Sequence, residues 1–424
     1  MKLKILMLGW EFPPLISGGL GVACKGIADA LSDYTDLTIV VPKAIIKSEN
    51  PYTIMGINQM NQKDNGYKVY TAGYTQESTQ NYLTPYYTDQ AFQKINVTES
   101  EYRLHSENDN LWKNNNTLYG PNIHRKIHEY SASVFEICKN IQFDIIHAHD
   151  WMTMVAGISL KKKLSKPLVL HVHSLETDRS GENNNNWIFK LEKEGMESAD
   201  LILAVSHYTK NKIVNQYKIP SSKINVVHNG NSSIPELNKK EERYNETKVA
   251  FIGRLTRQKG AEYFVDIAEK VIKRKKNFRF IIAGTGENLE QLVYSTAMKS
   301  IGDRVHFTGF LNNKEIHQLL SSTDIYCMPS VSEPFGLSAV EAASYNIPCI
   351  LSKQSGVIEV LKNSIQFDFW DINKAAGAII NLSENKMLTK EMTKNARREL
   401  RQVNWKNTAT EILKYYNYHR LIKN

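Results

Sequence analysis

Short apolar runs recur along the whole chain, each followed by helical periodicity, and this rhythm most constrains what the sequence can fold into. One series lies at residues 3–8, 37–42, 143–149, 167–173, 201–206 and 224–230. A second lies at 248–254, 278–284, 305–310, 324–330 and 347–352. The runs are rich in Ile and Val and do not alternate with polar residues, as expected of parallel strands covered on both faces. Helical segments such as 21–32, 127–140, 257–275 and 312–321 intervene. Parallel neighbours need a crossover, and a helix supplies it, so the pattern predicts doubly wound α/β sheets. With 424 residues the chain is too long for one ordinary core. Two Rossmann-like domains are therefore expected, 1–235 and 246–403, joined by the polar, irregular stretch 231–247.

The rhythm breaks again at 48–118, which is rich in Asn, Gln, Tyr and Thr and includes "NNN" at 114–116. It reads as an insertion of loops and short elements into the first domain. The run "NNNN" at 183–186 lies in another expected loop. The last stretch, 404–420, is helical, with an apolar face at Ala409, Ile412, Leu413 and Tyr416.

Several function classes are excluded by composition. No apolar run approaches the ~18 residues a membrane helix needs. The apolar core at the start, Ile5 to Trp10, is shorter than a secretory segment of roughly 7–15 residues, and Glu11 and two prolines follow it. It reads as the first buried strand of a cytoplasmic protein. Cys24, Cys138, Cys327 and Cys349 lie far apart, suggesting neither a disulfide framework nor a zinc site. The net charge of +9 favours anionic partners. The basic runs Lys161–Lys163 and Lys273–Lys276 fall where helices should end and read as solvated helix termini. Membrane association is open but not indicated, and no nucleic-acid module with interleaved aromatics is visible.

Chemistry-bearing residues gather at strand exits, where open α/β sheets bind ligands. After the first strand comes "GWEFPPLISGGLG" (9–21), in which Gly18, Gly19 and Gly21 open a helix. Exposed amides and a helix N-terminus suit an anion such as phosphate, and a tight turn without ligand is the plainer alternative. In "FIGRLTRQKG" (251–260) Arg254 leaves a strand and Lys259 precedes a helix, two cations suited to a diphosphate that gains charge as a bond to it breaks. Arg257 should point to solvent. In "SEPFGLSAVEAASY" (332–345) Glu333 precedes a turn at Gly336 and Leu337, and the helix after it carries Glu341. These two carboxylates are spaced to accept hydrogen bonds from two sets of sugar hydroxyls. "HAHDW" (147–151) and "HVHS" (171–174) place alternating histidines on one strand face. A metal site there is one reading, buried hydrogen-bonded histidines another. No D-x-D pair occurs to hold a metal-bound diphosphate.

In this order the four motifs resemble those of retaining GT-B glycosyltransferases, in the large group that contains glycogen and starch synthases. The likeness covers nearly the whole chain, and "GWEFPP" and "HAHDW" look particularly like glycogen synthases. It implies two Rossmann-like domains facing across a cleft, with a last helix that crosses back to the first domain. That helix would be residues 404–424. It also implies a hexosyltransferase that uses a nucleoside-diphosphate sugar as co-substrate, with no other cofactor and no metal. Arg254 and Lys259 would grip the diphosphate, and Gly18 and Gly19 would offer it amides. Glu341 would hold the ribose. Glu333 and the amides of Gly336 and Leu337 would hold the transferred sugar, with His173 near the reacting carbon. Glu11 and Asp150 would line the acceptor side. Glucose from ADP- or UDP-glucose added to an α-glucan is the leading expectation. A related transferase making a surface polysaccharide, glycolipid or disaccharide is the alternative, and a metal-dependent hydrolase built on the histidines a distant one. Bacterial glycogen synthases typically carry lysine two residues before the Gly-Gly pair, where this chain has Ile16, so one positive charge is missing from that site.

Overall fold

In the computed structural model of this chain, the apolar runs form two parallel sheets. The structure describes residues 2–16, 18–45, 50–59, 118–120, 122–181, 186–231 and 246–419, and the backbone of 69–74 and 97–102. The chain divides into two units. The first comprises Met1–Val205, Thr209–Val227 and Trp405–Asn424, and the second Ser206–Tyr208 and His228–Asn404. The Asn run at 114–116, the Asn residues at 183–185 and the stretch 232–245 lie outside the described residues.

In the first unit the strands are β1 (Leu3–Leu8), β2 (Thr35–Val41), β3 (Thr53–Gly56), β4 (Val69–Tyr74), β5 (Val97–Tyr102), β6 (Ile145–His149), β7 (Leu168–Val172), β8 (Leu201–Ala204) and β9 (Ile224–Val226). Its helices are α1 (Gly19–Ser32), α2 (Ile123–Cys138), α3 (Trp151–Leu164), α4 (Glu176–Arg179), α5 (Trp187–Ser198) and α6 (His207–Tyr217), which starts in the second unit. The main sheet runs β3-β2-β1-β6-β7-β8-β9, all parallel, while β4 and β5 form a separate antiparallel pair. The order reverses between β1 and β6, whose register pairs Ile5 with Ile145 and Leu8 with Ala148. Residues 53–56, expected in the insertion, instead extend the core sheet, because Thr53–Gly56 pairs in parallel with Thr38–Val41.

The second unit holds β10 (Thr247–Ile252), β11 (Phe278–Ala283), β12 (Val305–Gly309), β13 (Ile325–Met328), β14 (Cys349–Ser352) and β15 (Ile365–Phe367), in the order β12-β11-β10-β13-β14-β15. Its helices are α7 (Ala261–Arg274), α8 (Leu289–Met298), α9 (Asn313–Ser322), α10 (Leu337–Ser344), α11 (Ile372–Glu384) and α12 (Lys386–Leu400). Here the switch falls between β10 and β13. Both orders are those of dinucleotide-type doubly wound sheets, in which ligands sit beyond the strand exits at the reversal.

Both sheets are covered on two sides, so their strands carry buried side chains such as Leu6, Ile39, Ile146 and Leu170 in one unit and Phe251, Phe280, Ile282 and Ile350 in the other. Each such side chain contributes roughly 1.5–3 kcal/mol through the apolar surface it removes from water. The final helix, α13 (Trp405–Tyr418), belongs to the first unit and packs on α1. Gly26 makes this possible, since a Cβ there would lie 2.1 Å from the Trp405 indole. Ala409, Ile412 and Tyr416 of the expected apolar face are buried, while Leu413 is only partly covered.

The helix expected over 257–275 begins differently. Arg257–Lys259 form a 3₁₀ turn, and Gly260 adopts φ 68° before α7 starts. A Cβ at Gly260 would lie 2.1 Å from the Pro329 carbonyl oxygen, so the turn presses on the β13 exit as only glycine allows. The basic runs do sit at helix ends: Lys161–Lys163 close α3, and Lys273 and Arg274 close α7. The four cysteines are free and buried. Among the described residues, no helix is long and apolar enough to cross a membrane.

Candidate functional site

The β1 and β6 exits lie beside the switch point of the first unit. Gly18 is the N-cap of α1, in extended conformation, and no side chain caps the helix, so its first amides carry no such partner. Gly18 and Gly19 are exposed. A Cβ at Gly18 would meet nothing within 4 Å, so this protein's own packing does not demand glycine there. Ile16 lies over the same helix, its Cγ2 2.3 Å from the position a Cβ on Gly21 would take. Glu11 is buried, and its carboxylate accepts a hydrogen bond from the Tyr119 hydroxyl.

At the β6 and β7 exits the histidines share one face, as their alternation predicts. They bond to each other rather than to backbone. His149 Nδ1 lies 2.9 Å from His173 Nε2, and His147 Nε2 lies 3.3 Å from His171 Nδ1. The Tyr416 hydroxyl, brought in by α13, lies 2.8 Å from His147 Nδ1. Burial pushes His147 and His173 down to about 3 and holds His149 and His171 well below the usual imidazole range. The four rings are therefore neutral at physiological pH. Candidate ligand atoms of His147, His149 and His171 lie within 4.8 Å of one another.

Asp150 follows with φ 58° and ψ 173°, a region that only glycine occupies readily. That strain turns its buried carboxylate inward, where Oδ1 accepts the amides of His173 at 2.6 Å and Ser174 at 3.3 Å. Burial raises Asp150 to about 7, against those amides and Arg179. Beneath it Arg179 donates to Ser174 Oγ, Glu176 and Glu192, each at 2.9 Å. Burial lifts Glu192 to about 8, opposed by Arg179. Tyr217 donates to Glu192, and Lys212 Nζ lies 2.7 Å from Asp178. Sequence reasoning missed this buried network under the His173 loop. Its one local signal is the Glu-x-x-Arg spacing of Glu176 and Arg179.

In the second unit, Arg254 follows β10 and is half-buried, while Arg257 is exposed as expected. The Lys259 stem lies against Gly253, 3.8 Å from where a Cβ would stand. Its ammonium is 2.6 Å from Glu333 Oε2. The backbone of Glu333 is fixed on both sides, its N–H donating to Gln354 O and its carbonyl accepting from Gly356 N, both at 2.9 Å. The Gln258 carbonyl accepts the amides of Val331 and Ser332, tying the β10 exit to the β13 exit. Gly336 has φ 105° and caps α10, and a Cβ there would crowd Met328, Val357 and Glu333. Leu337 is the first residue of α10. Glu341, one turn further, is pushed upward by burial. Thr256 Oγ1 and Ser330 Oγ are buried at these two exits with no hydrogen-bond partner among the described residues. Neither was singled out in the sequence, where a hydroxyl in a loop carries no distinguishing signal.

Two doubly wound units with amides, cations and carboxylates at their switch points define an α/β protein of the class whose ligands sit beyond the strand exits. Residues 233–399 match the family model of Glycosyl transferases group 1, and residues 100–231 that of Glycosyltransferase Family 4. An uncharacterized glycosyltransferase of Methanocaldococcus jannaschii is 27% identical over 98% of each chain. The UDP-Gal:alpha-D-GlcNAc-diphosphoundecaprenol alpha-1,3-galactosyltransferase of Escherichia coli is 26% identical over 63% of this chain and 73% of its own. The glycogen synthase of Mycobacterium tuberculosis is 23% identical over 64% and 68%. Sucrose-phosphate synthase from Thermosynechococcus elongatus shares the fold with a TM-score of 0.71, at 16% identity over 98% of this chain and 99% of that one. The chain has the GT-B fold, and the match to Glycosyl transferases group 1 lies in its second part, residues 233–399.

Proposed function

We propose that this glycosyltransferase moves a hexose, glucose in the leading reading, from a nucleoside-diphosphate sugar to a carbohydrate acceptor with retention of configuration. The observation that carries the reading is the Lys259–Glu333 pair at 2.6 Å, at the exits that flank the second unit's switch point. It sets a cation for a diphosphate beside a carboxylate for sugar hydroxyls. Arg254 and Lys259 would hold the diphosphate, and Glu341 the ribose. Glu333 with the amides of Gly336 and Leu337 would hold the sugar. In the first unit Gly18 and Gly19 would offer amides to an anion, His173 would meet the sugar, and Glu11 and Asp150 would serve the acceptor side.

Breaking the glycosidic bond to the diphosphate leaves negative charge on the leaving group and positive charge on the ring. Cations fixed in advance at the leaving phosphate stabilise that charge without reorganisation, so no metal ion is required. Front-face attack by the acceptor hydroxyl, assisted by the leaving phosphate, follows from the family likeness.

For the acceptor we favour an α-glucan, on the strength of "GWEFPP", "HAHDW" and the similarity to a glycogen synthase. A lipid-linked or surface saccharide is the second reading. It is favoured by Ile16 where glycogen synthases carry lysine and by the similarity to a transferase whose name specifies a diphosphoundecaprenol substrate. The test is a screen of radiolabelled ADP-, UDP- and GDP-sugars with glycogen as acceptor, sizing the product. Label in polymer from ADP- or UDP-glucose supports the α-glucan reading. Donor turnover with glycogen left unlabelled supports the second, and no turnover of any donor contradicts both.

A further inference from the structure

Helix α12 turns Met392, Ala396 and Leu400 inward and packs on α10 and α11. At about 100° per residue, Lys386, Lys390, Lys394, Arg397, Arg398 and Arg401 fall within about a third of its circumference, on the opposite side. All six are exposed, and among the described residues none has an ion pair. Elsewhere in the same unit some cations are matched, Lys273 and Lys299 with Glu269, Arg279 and Arg304 with Glu246, Lys353 with Asp368. Among the described residues no other stretch gathers six unmatched ones on one helix face.

The helix dipole accounts for cations in the last turn. It does not account for Lys386 and Lys390, which stand at the positive end. Lys386, Lys390 and Lys394 also repel one another at four-residue spacing. Glu391, exposed at the edge of the row, is the one carboxylate of α12 that stands beside these six cations, so the face keeps a strong positive excess that an anionic surface would complement. The row runs straight for about 23 Å, so its charges do not converge on a point as they would for a free anion. Met387, 85% exposed, stands beside it, an apolar group that a headgroup layer accepts. No aromatic platform for stacking bases interrupts the row.

We propose that this face of α12 docks on an anionic lipid surface. The proposal is independent of the donor and acceptor assignments. The full chain is sedimented with vesicles of phosphatidylcholine alone, or with about a third phosphatidylglycerol. Binding to the anionic vesicles only, weakening with salt, is expected. The variant Lys390→Glu/Lys394→Glu/Arg397→Glu should lose about tenfold or more of the bound fraction while keeping its circular dichroism. If that variant does not fold, Lys386→Gln/Lys390→Gln/Lys394→Gln serves in its place. Equal binding to both vesicle types, or undiminished binding by a folded variant, overturns the proposal. So does tighter binding to duplex DNA than to vesicles. Release by inorganic phosphate at ionic strength matched with chloride would assign a point-anion site instead and equally overturn it.

Discussion

Lys259 Nζ lies 2.6 Å from Glu333 Oε2, and the two side chains are only 22% and 7% exposed. Each is the other's counter-charge, so removing one leaves a nearly buried ion alone. Lys259→Ala should therefore lower unfolding stability by about 1–3 kcal/mol. Adding Glu333→Gln should restore much of that loss without restoring transfer. A urea-denaturation double-mutant cycle measures the coupling, and additive effects would show that the pair does not act as a unit.

Transfer itself should respond to the cations. Arg254→Ala and Lys259→Ala are each expected to lower turnover by about 10²–10³-fold, the scale of losing one fixed donor to a developing anion. Initial rates at saturating donor check this, with circular dichroism to confirm the fold.

The strained Asp150 backbone serves to deliver a carboxylate to the amides of His173 and Ser174. Asp150→Ala keeps the strain and abandons those amides, and a small displacement of His173 would cost about 10²-fold in turnover. Asp150→Asn keeps an acceptor oxygen and should stay within about tenfold of the parent enzyme. Equal losses in the two variants would point to a role for the negative charge itself.

Glu192 titrates near 8 because it is buried, despite Arg179 beside it. Between the ordinary 4.5 and about 8 the folded protein holds a proton that the unfolded chain has released. Stability must then fall as pH rises through that window, by up to about 1.4 kcal/mol per pH unit for this group. Glu192→Gln, permanently neutral, should flatten the profile. Urea midpoints across the window make the comparison, and a variant profile as steep as the parent's would contradict the assignment.

Activity should survive exhaustive chelation. Arg254 and Lys259 would supply the charge that a metal otherwise gives a leaving diphosphate, whereas His149 Nε2, His171 Nε2 and His173 Nδ1 keep no partner among the described residues. Loss of transfer with EDTA, recovered with a divalent ion and matched by metal in the purified protein, would give His147, His149 and His171 a different role.

Much of the fold is legible because parallel strands buried on both faces leave unbroken apolar runs, and every run expected contains a strand. What escaped has a physical reason. Strand β15 is three residues long, too short to show a pattern, and β3 hides at the edge of a polar insertion. The exits carrying Arg254, Lys259, Glu333 and Gly336 were legible because glycine and charge are rare at the close of an apolar run. Glu192, Tyr217 and Lys212 were not. They come from α5 and α6, and only tertiary packing brings Glu192 to Arg179 and Lys212 to Asp178.

The central claim is that Lys259 and Arg254 bind the diphosphate of the donor. Calorimetric titration of the full chain with UDP and ADP, repeated on Lys259→Ala and Arg254→Ala, tests it most directly. Saturable binding of at least one nucleotide by the parent, weakened about tenfold or more in each variant, is the predicted result. Parental affinity in both folded variants would contradict it.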